Sequence, residues 1–118
     1  MRKNADIHYL EIVSTDVDQL CAAYSQTLGV TFGEEVDELG GAKTATISTG
    51  GMLGIRPPMH DAEEATTRPY YLVEDIEDAV REAANSGAEI AVPPLEIPGR
   101  GKCAIVMYGA IQNGFWQV

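Results

Sequence analysis

The sequence predicts an α+β fold made of two tandem β-α-β-β-β modules. Residues 7–29 contain, in order, a strand-like segment, a turn, an amphipathic helix and a glycine stop. Residues 68–87 repeat the same order of elements. The two turn aspartates, Asp16 and Asp75, are separated by half the length of the 118-residue chain. This spacing indicates one structural unit that is present twice.

The length of the chain limits it to a single compact domain, which the two modules share. We expect the first module to span residues 6–56, a linker to span 57–67 and the second module to span 68–118. The linker begins with two prolines, which disfavour a helix, and continues with a polar, acidic run. The ionisable side chains of this run lack the regular spacing of a metal site, so we interpret them as solvated. They are His60, Asp61, Glu63 and Glu64.

The composition restricts the partners that the protein can have. The formal net charge is −10, and a field of this sign repels phosphate backbones, so we expect no nucleic-acid partner. The N-terminus lacks an apolar signal core, and no apolar run approaches the ~20 residues of a membrane span. We therefore expect a cytoplasmic protein without a membrane partner. Cys21 and Cys103 have no CxxC partner and are interpreted as small buried hydrophobic residues.

Each module contains one helix with recognisable start and stop signals. Residues 16–28 carry apolar side chains at i, i+3, i+4, i+7 and i+11, which form one stripe. Thr15 or Asp16 can cap the first free N–H groups, and Gly29 suits the left-handed position after the last turn. Residues 75–86 repeat these signals, from an acidic cap to a glycine stop.

Three short strands are predicted after each helix, since β-branched and aromatic residues alternate there with glycine-rich breaks. In the first module these antiparallel strands occupy residues 30–36, 42–49 and 52–57. In the second module they occupy residues 88–92, 102–108 and 114–118, with an extended proline-rich segment at 93–98 that can donate few ladder bonds.

Strand alternation assigns two faces to the first strand. Leu10 and Ile12 share the face that we expect to pack on the helix, and Tyr9 and Glu11 share the other. His8 falls on the Leu10 side, where a lone histidine is more often structural than a ligand.

The order of these elements resembles the vicinal oxygen chelate superfamily, which includes glyoxalase I, bleomycin-resistance proteins and extradiol dioxygenases. The segments that carry the resemblance are EIVSTDVDQLCAAYSQTLGVTF, YLVEDIEDAVREAANSGAEI and PPLEIPGRGKCAIVMYGAIQNGFWQV. They cover nearly the whole chain, which looks most like the small glyoxalase-like members. The resemblance implies two curved mixed sheets that enclose a cavity, formed within one chain or between two chains.

The superfamily typically binds a divalent metal through His or Glu side chains on the first and last strand of each module. The corresponding positions in this chain are Tyr9, Gly54, Arg68 and Gln117. These residues do not make that site, since arginine stays protonated and glycine has no donor, so we expect no metal cofactor. The alternative is a shifted register that turns His8 inward beside Glu11. It would allow a metal-dependent lyase, isomerase or dioxygenase with atypical ligands.

An inward-facing group of side chains follows from the same alternation. It comprises Tyr9, Glu11, Arg56, Arg68, Tyr70, Phe115 and Gln117. Such a mixture of aromatic and charged groups is typical of a small-molecule site. Glu11 is the candidate general base, and the remaining six are candidate substrate-binding residues, with either arginine able to hold a carboxylate or phosphate by two parallel bonds. The competing interpretation is that Glu11 and one arginine form a buried ion pair.

The sequence therefore predicts a glyoxalase-like protein that binds a small anionic or aromatic molecule without a metal. Whether it also catalyses a reaction stays open, and a purely structural interaction module is a further alternative. We also expect a homodimer, because a single module exposes sheet edges that must be covered.

Overall fold

The computed structural model describes residues 5–47 and 50–118, and its order of elements confirms the predicted α+β fold with its two β-α-β-β-β repeats. The first repeat contains β1 (Ile7–Val13), α1 (Val17–Leu28), β2 (Glu35–Val36), β3 (Ala42–Thr46) and β4 (Met52–Arg56). The second contains β5 (Thr66–Leu72), α2 (Ile76–Asn85), β6 (Glu89–Ile97), β7 (Gly101–Tyr108) and β8 (Ile111–Gln117). Residues 48 and 49 of the predicted strand 42–49 lie outside the described residues.

Both helices begin at the predicted aspartate caps. Asp16 accepts a hydrogen bond from the Gln19 amide at 3.3 Å, and Asp75 accepts one from the Asp78 amide at 3.1 Å. Each carboxylate thereby satisfies an amide that has no partner inside the helix. Of the two predicted caps of α1, Asp16 rather than Thr15 makes the bond to the Gln19 amide.

Glycines end both helices in the left-handed conformation. Gly29 has φ 71° after α1, and Gly87 has φ 106° after α2. Behind α2 the amides of Gly87 and Ala88 donate to the carbonyls of Ala84 and Ala83 at 3.1 and 3.0 Å. This pair of bonds is a Schellman motif. The motif requires a residue with positive φ, and glycine adopts this conformation without a steric cost.

The chain packs as two compact units whose boundary lies inside β1. We call residues 9–67 the first unit, and residues 5–8 with 68–118 the second unit. We predicted that residues 6–8 belong to the first module, whereas in the structure residues 5–8 group with the second unit. There the amide of Leu72 in β5 donates to the carbonyl of Asp6 at 2.8 Å.

The first unit has the strand order β2-β3-β4-β1, with β1 parallel to β4 and the other pairs antiparallel. Helix α1 covers one face. Ile12 and Ile55 are register partners and pack with Cys21 of α1, and Leu10 lies in the same cluster. The predicted face of Leu10 and Ile12 is therefore confirmed, and each fully buried aliphatic side chain there contributes ~1.5–3 kcal/mol.

The second unit repeats this plan with the order β5-β8-β7-β6, where β5 and β8 are parallel and the other pairs antiparallel. Helix α2 packs on β7 and β8. The apolar residues at this contact are Ile76, Val80, Ala83, Ala104, Val106 and Phe115.

Two predicted strands differ from those observed. The strand expected at 30–36 is reduced to Glu35–Val36, because Phe32 turns to pack against the α1 core and Gly33 makes one bond, to the Thr44 carbonyl at 2.9 Å. In the second unit β6 continues through both prolines to Ile97, with register shifts between positions 90 and 95. The irregular ladder accommodates residues that lack an N–H donor.

Within the described residues, no helix combines the length and apolarity that a membrane crossing requires.

Candidate functional site

Arg56, at the end of β4, is the centre of a buried charged cluster in the first unit. It is 3% exposed, and each guanidinium nitrogen is bonded within the chain. Nε donates to Glu11 at 2.7 Å, and Nη1 and Nη2 donate to the two carboxylate oxygens of Glu63 at 2.9 and 2.7 Å. Nη1 also reaches the Pro57 carbonyl at 3.1 Å. Hydrogen bonds to Glu63 and Glu11 outweigh desolvation and raise the pKa of Arg56 above its ordinary value.

Glu63 brings the linker into this cluster. Its Oε1 also accepts from the Met59 amide at 2.7 Å, which fixes the turn of the linker around the carboxylate. The side chain is 16% exposed, so the interpretation of Glu63 as solvated is wrong. Sequence spacing gave no sign of this contact, because it depends on the linker folding back over β4. The buried ion pair that we weighed for Glu11 and one arginine is present between Glu11 and Arg56.

Tyr9 lies on the same face of the first unit as Glu11 and Arg56. Its ring packs directly over Gly54 of β4, where an added Cβ would come within 1.8 Å of the phenol oxygen. Only glycine leaves room for the ring at this position. Tyr9 is 2% exposed, so the predicted face is correct and the ring fills the space above β4.

Arg68 and Tyr70 of β5 share one face of the second unit. Arg68 is 6% exposed, and its Nε donates to Gln112 Oε1 at 2.5 Å. This bond orients the guanidinium on the face of β5. Tyr70 packs over Gly114 of β8, where an added Cβ would come within 2.3 Å of the ring. Each unit therefore seats a first-strand tyrosine over a last-strand glycine.

Trp116 completes an aromatic group on this face. Its ring lies 5.7 Å from that of Tyr70 in an edge-to-face arrangement and 5.6 Å from that of His8 in a tilted one. Its Nε1 donates to the Arg100 carbonyl at 2.8 Å, which fixes the indole. Partial burial lowers the pKa of His8, so the imidazole is predominantly neutral at neutral pH.

Phe115 and Gln117 do not share this face, and their predicted placement is wrong. Phe115 packs against α2. Gln117 Oε1 accepts from the Ile76 amide at 2.8 Å and so satisfies a free amide at the start of the helix. Alternation along β8 puts Gln112, Gly114 and Trp116 on the opposite side. The face of Arg68 and Tyr70 is thus completed by the β8 residues that alternate with Phe115 and Gln117.

Two surface grooves of the first unit lie elsewhere. The larger, about 650 Å³, runs between α1 and residues 30–34 beside Lys43. There the Nζ of Lys43 donates to Asp18 at 2.9 Å, and this bond raises the pKa of the lysine. The smaller, about 310 Å³, lies near the start of α1. Neither groove is lined by a predicted site residue.

The residues at the four metal positions do not fit a divalent cation. Gly54 offers no ligand atom and is covered by Tyr9, and arginine stays protonated. Gln117 lies on the helix side of its sheet. Across residues 5–47 and 50–118, no three His, Cys, Asp or Glu side chains are grouped to hold a metal ion.

Comparisons with known proteins give structural matches only. No protein-family model and no curated protein matches the sequence. Hypothetical protein BH1468 from Bacillus halodurans C-125 has a TM-score of 0.76 at 16% identity, over 98% of this chain and 96% of that one. Methylmalonyl-CoA epimerase from Mycobacterium tuberculosis has a TM-score of 0.72 at 13% identity, over 99% and 92%.

A mutant of 4-hydroxymandelate synthase from Streptomyces coelicolor matches with a TM-score of 0.75 at 15% identity, over 96% of this chain and 38% of that one. These structures belong to the vicinal oxygen chelate superfamily and match over nearly the full length of this chain. The chain therefore has the fold of that superfamily, which confirms the resemblance seen in the sequence. Identities this low establish the fold alone.

Several residues of the site escaped sequence reasoning. Gln112 and Trp116 would have been predicted if the two faces of β8 had been assigned the other way round. The two glycines beneath the tyrosines give no signal by themselves, since glycine is also typical of turns and bulges. Glu63 could be found only from the tertiary fold.

Proposed function

We propose that the protein binds a small organic acid on the Arg68 face of the second unit. One observation carries the proposal: a buried arginine is oriented by Gln112 and stands on the same face as an aromatic pair. A fixed guanidinium presents two parallel donors to a carboxylate. Burial strengthens such a bond, because the local dielectric constant is lower than that of water.

Arg56 is a poorer candidate for the ligand arginine. Its three nitrogens already bond two carboxylates of its own chain. A ligand acid group would have to displace Glu63, whose two oxygens already make the bidentate contact that a ligand would make. We therefore assign Arg56 to the stability of the first unit and Arg68 to the ligand.

Binding, rather than catalysis, is the function that the geometry favours. Glu11, the predicted general base, has one oxygen engaged by Arg56 at 2.7 Å. A general base must be able to reach the proton that it removes, and this carboxylate is already bonded to an arginine of its own chain. The metal-dependent alternative gains no support from the residues at the four metal positions. The cytoplasmic location and the homodimer remain expectations from the sequence.

Ligand titrations on matched variants test the proposal. Small carboxylates are first screened by thermal shift, because a ligand that binds only the native state raises the melting temperature. For each acid that binds, Arg68→Ala is expected to weaken affinity by tenfold or more, about 1.5–3 kcal/mol. Arg68→Lys restores only part of it, since an ammonium cannot make two parallel bonds.

Arg81→Ala is the control, because it removes the same charge from an exposed position on α2. It is expected to leave the affinity unchanged. Equal affinities for the wild-type protein and Arg68→Ala contradict the proposal.

A further inference from the structure

The linker at residues 57–65, which we call the strap, is held by the polar contacts of one side chain. The structure describes all of these residues, and among them only Glu63 makes a hydrogen bond or an ion pair through its side chain. The residues on both sides of Glu63 are exposed, and Met59 is 66% exposed. A segment with so few contacts opens at a smaller free-energy cost than the unit to which it is attached.

Glu63 also closes the strap into a turn. Its Oε1 accepts from the Met59 amide at 2.7 Å, and its own amide donates to the His60 carbonyl at 3.0 Å. The methyl group of Met59 lies over Gly40, where an added Cβ would come within 2.6 Å of it. The turn is therefore compact, and it depends on the same carboxylate that attaches it to β4.

The guanidinium of Arg56 is divided between the sheet and the strap. On one edge, Nε donates to Glu11 of β1 at 2.7 Å. On the other edge, Nη1 and Nη2 donate to the two carboxylate oxygens of Glu63 at 2.9 and 2.7 Å. The bond to Glu11 does not involve the strap, so it can hold the guanidinium in place after the bonds to Glu63 are broken.

We propose that the strap is a lid over Arg56, which opens when Glu63 detaches while the first unit stays folded. In the closed state Arg56 is 3% exposed, and in the open state its two terminal nitrogens become accessible to solutes. Water already reaches the Glu63 side chain, which is 16% exposed, and can hydrate the carboxylate as it leaves. Lids belong to the least stable parts of a fold, because they must move without unfolding it. The inference does not depend on the ligand of the second unit.

Native-state hydrogen exchange tests the opening on the wild-type protein. The Met59 amide reports the strap, and the Ser14 amide, which donates to the Arg56 carbonyl at 3.0 Å, reports the sheet. We expect Met59 to be protected, but at least about tenfold less than Ser14. Its exchange should not change at low urea concentrations, because a local opening exposes little surface.

Two results of this experiment would refute the lid. Equal protection and equal urea dependence of Met59 and Ser14 would mean that the strap opens only when the unit unfolds. A Met59 amide without any protection would mean that the strap is never closed. Both comparisons use the wild-type protein, so they hold even where a variant fails to fold.

Glu63→Gln and Glu64→Gln form a matched pair of variants. Each removes one negative charge from the strap, but Glu64 is exposed and makes no side-chain bond in the described part of the chain. We expect Glu63→Gln to accelerate exchange at Met59 by about tenfold or more, because hydrogen bonds to a charged group are lost. Glu64→Gln should leave this exchange unchanged. The same exchange rate in both variants contradicts the role of Glu63.

Chemical modification shows what the strap covers. Phenylglyoxal reacts with accessible guanidinium groups, and mass spectrometry of the peptides gives the rate at each arginine. Arg81, whose side chain is 63% exposed, is the internal reference, and in the wild-type protein Arg56 should react at least about tenfold more slowly. Glu63→Gln should accelerate Arg56 by the same factor as Met59 exchange, because both pass through the same open state. Faster exchange at Met59 without faster modification of Arg56 overturns the lid.

Discussion

Some single residues make large contributions to the stability of this molecule, and Arg56 is the clearest case. It is 3% exposed and links Glu11 of β1 to Glu63 of the linker. A buried ion pair contributes little relative to a well-packed apolar core, but breaking it leaves an uncompensated charge that is costly. Replacing one member of this cluster is therefore expected to lower the stability of the first unit strongly.

We predict that Arg56→Met lowers the free energy of unfolding by about 3–5 kcal/mol, because the buried carboxylate of Glu11 loses its ion pair with Arg56. The double variant Glu11→Gln/Arg56→Met should recover part of this loss, since Glu63 can turn to solvent. Urea denaturation measures both. Arg81→Met, which breaks only an exposed pair with Asp78, is expected to change stability by less than about 0.5 kcal/mol. If Arg56→Met lowers the free energy of unfolding by less than about 1 kcal/mol, the prediction that the cluster stabilises the first unit is wrong.

Residue faces were predictable only where one face is plainly apolar. Leu10 and Ile12 identify the helix side of β1, which correctly places Tyr9 and Glu11 on the other. In β8 the adjacent Phe115 and Trp116 are both large and aromatic, so hydrophobicity does not distinguish the faces. A shift of one position then exchanges every side chain between the two sides, which is why Phe115 and Gln117 were misplaced.

Helix α2 is fixed at its start by two side chains from different elements. Asp75 accepts from the Asp78 amide, and Gln117, at the end of β8, accepts from the Ile76 amide. The first amides of a helix have no partner inside it, so each bond removes an otherwise unsatisfied donor. Gln117 thereby joins the last strand to the helix that covers it.

We predict that Gln117→Leu destabilises the protein by about 1 kcal/mol and leaves ligand affinity unchanged. Gln117→Glu should recover the loss, because a carboxylate also accepts the bond and suits the positive end of the helix dipole. Thermal and urea unfolding measure stability, with Gln26→Leu on the exposed side of α1 as control. A fall in affinity with stability intact would mean that Gln117 is the predicted ligand residue after all.

The helices were the most predictable elements, because cap, stripe and glycine stop are all local signals. Strands were less so. The expected strand at 30–36 had suitable composition, but Phe32 is drawn to the α1 core, and burial outweighs propensity. Conversely, Pro93 and Pro94 argued against a long strand, although β6 passes through them by shifting its register.

Self-association is a property of the whole molecule that the sequence led us to expect. In the second unit β6 is at the end of the strand order, with Ile90 and Leu95 48% and 51% exposed. We predict a dimer of the 12.7-kDa chain in sedimentation at micromolar concentration. Ile90→Glu/Leu95→Glu should shift it toward monomer if this edge takes part. Leu28→Glu on α1, 61% exposed, is the control. A monomer for the wild-type chain refutes the prediction.

Metal content is the second whole-molecule property. Here the fold is typical of metal-binding proteins, but the residues at the ligand positions are not. The superfamily fold typically binds a divalent ion, whereas the four corresponding positions hold a glycine, an arginine, a tyrosine over that glycine, and a glutamine on the helix side. We predict that protein purified without chelator contains no stoichiometric zinc, iron, nickel or manganese by elemental analysis. EDTA should leave its melting temperature unchanged, because no metal-binding free energy contributes to folding. About one ion per chain, lost in His8→Ala or Glu11→Gln, would instead establish the atypical metal site.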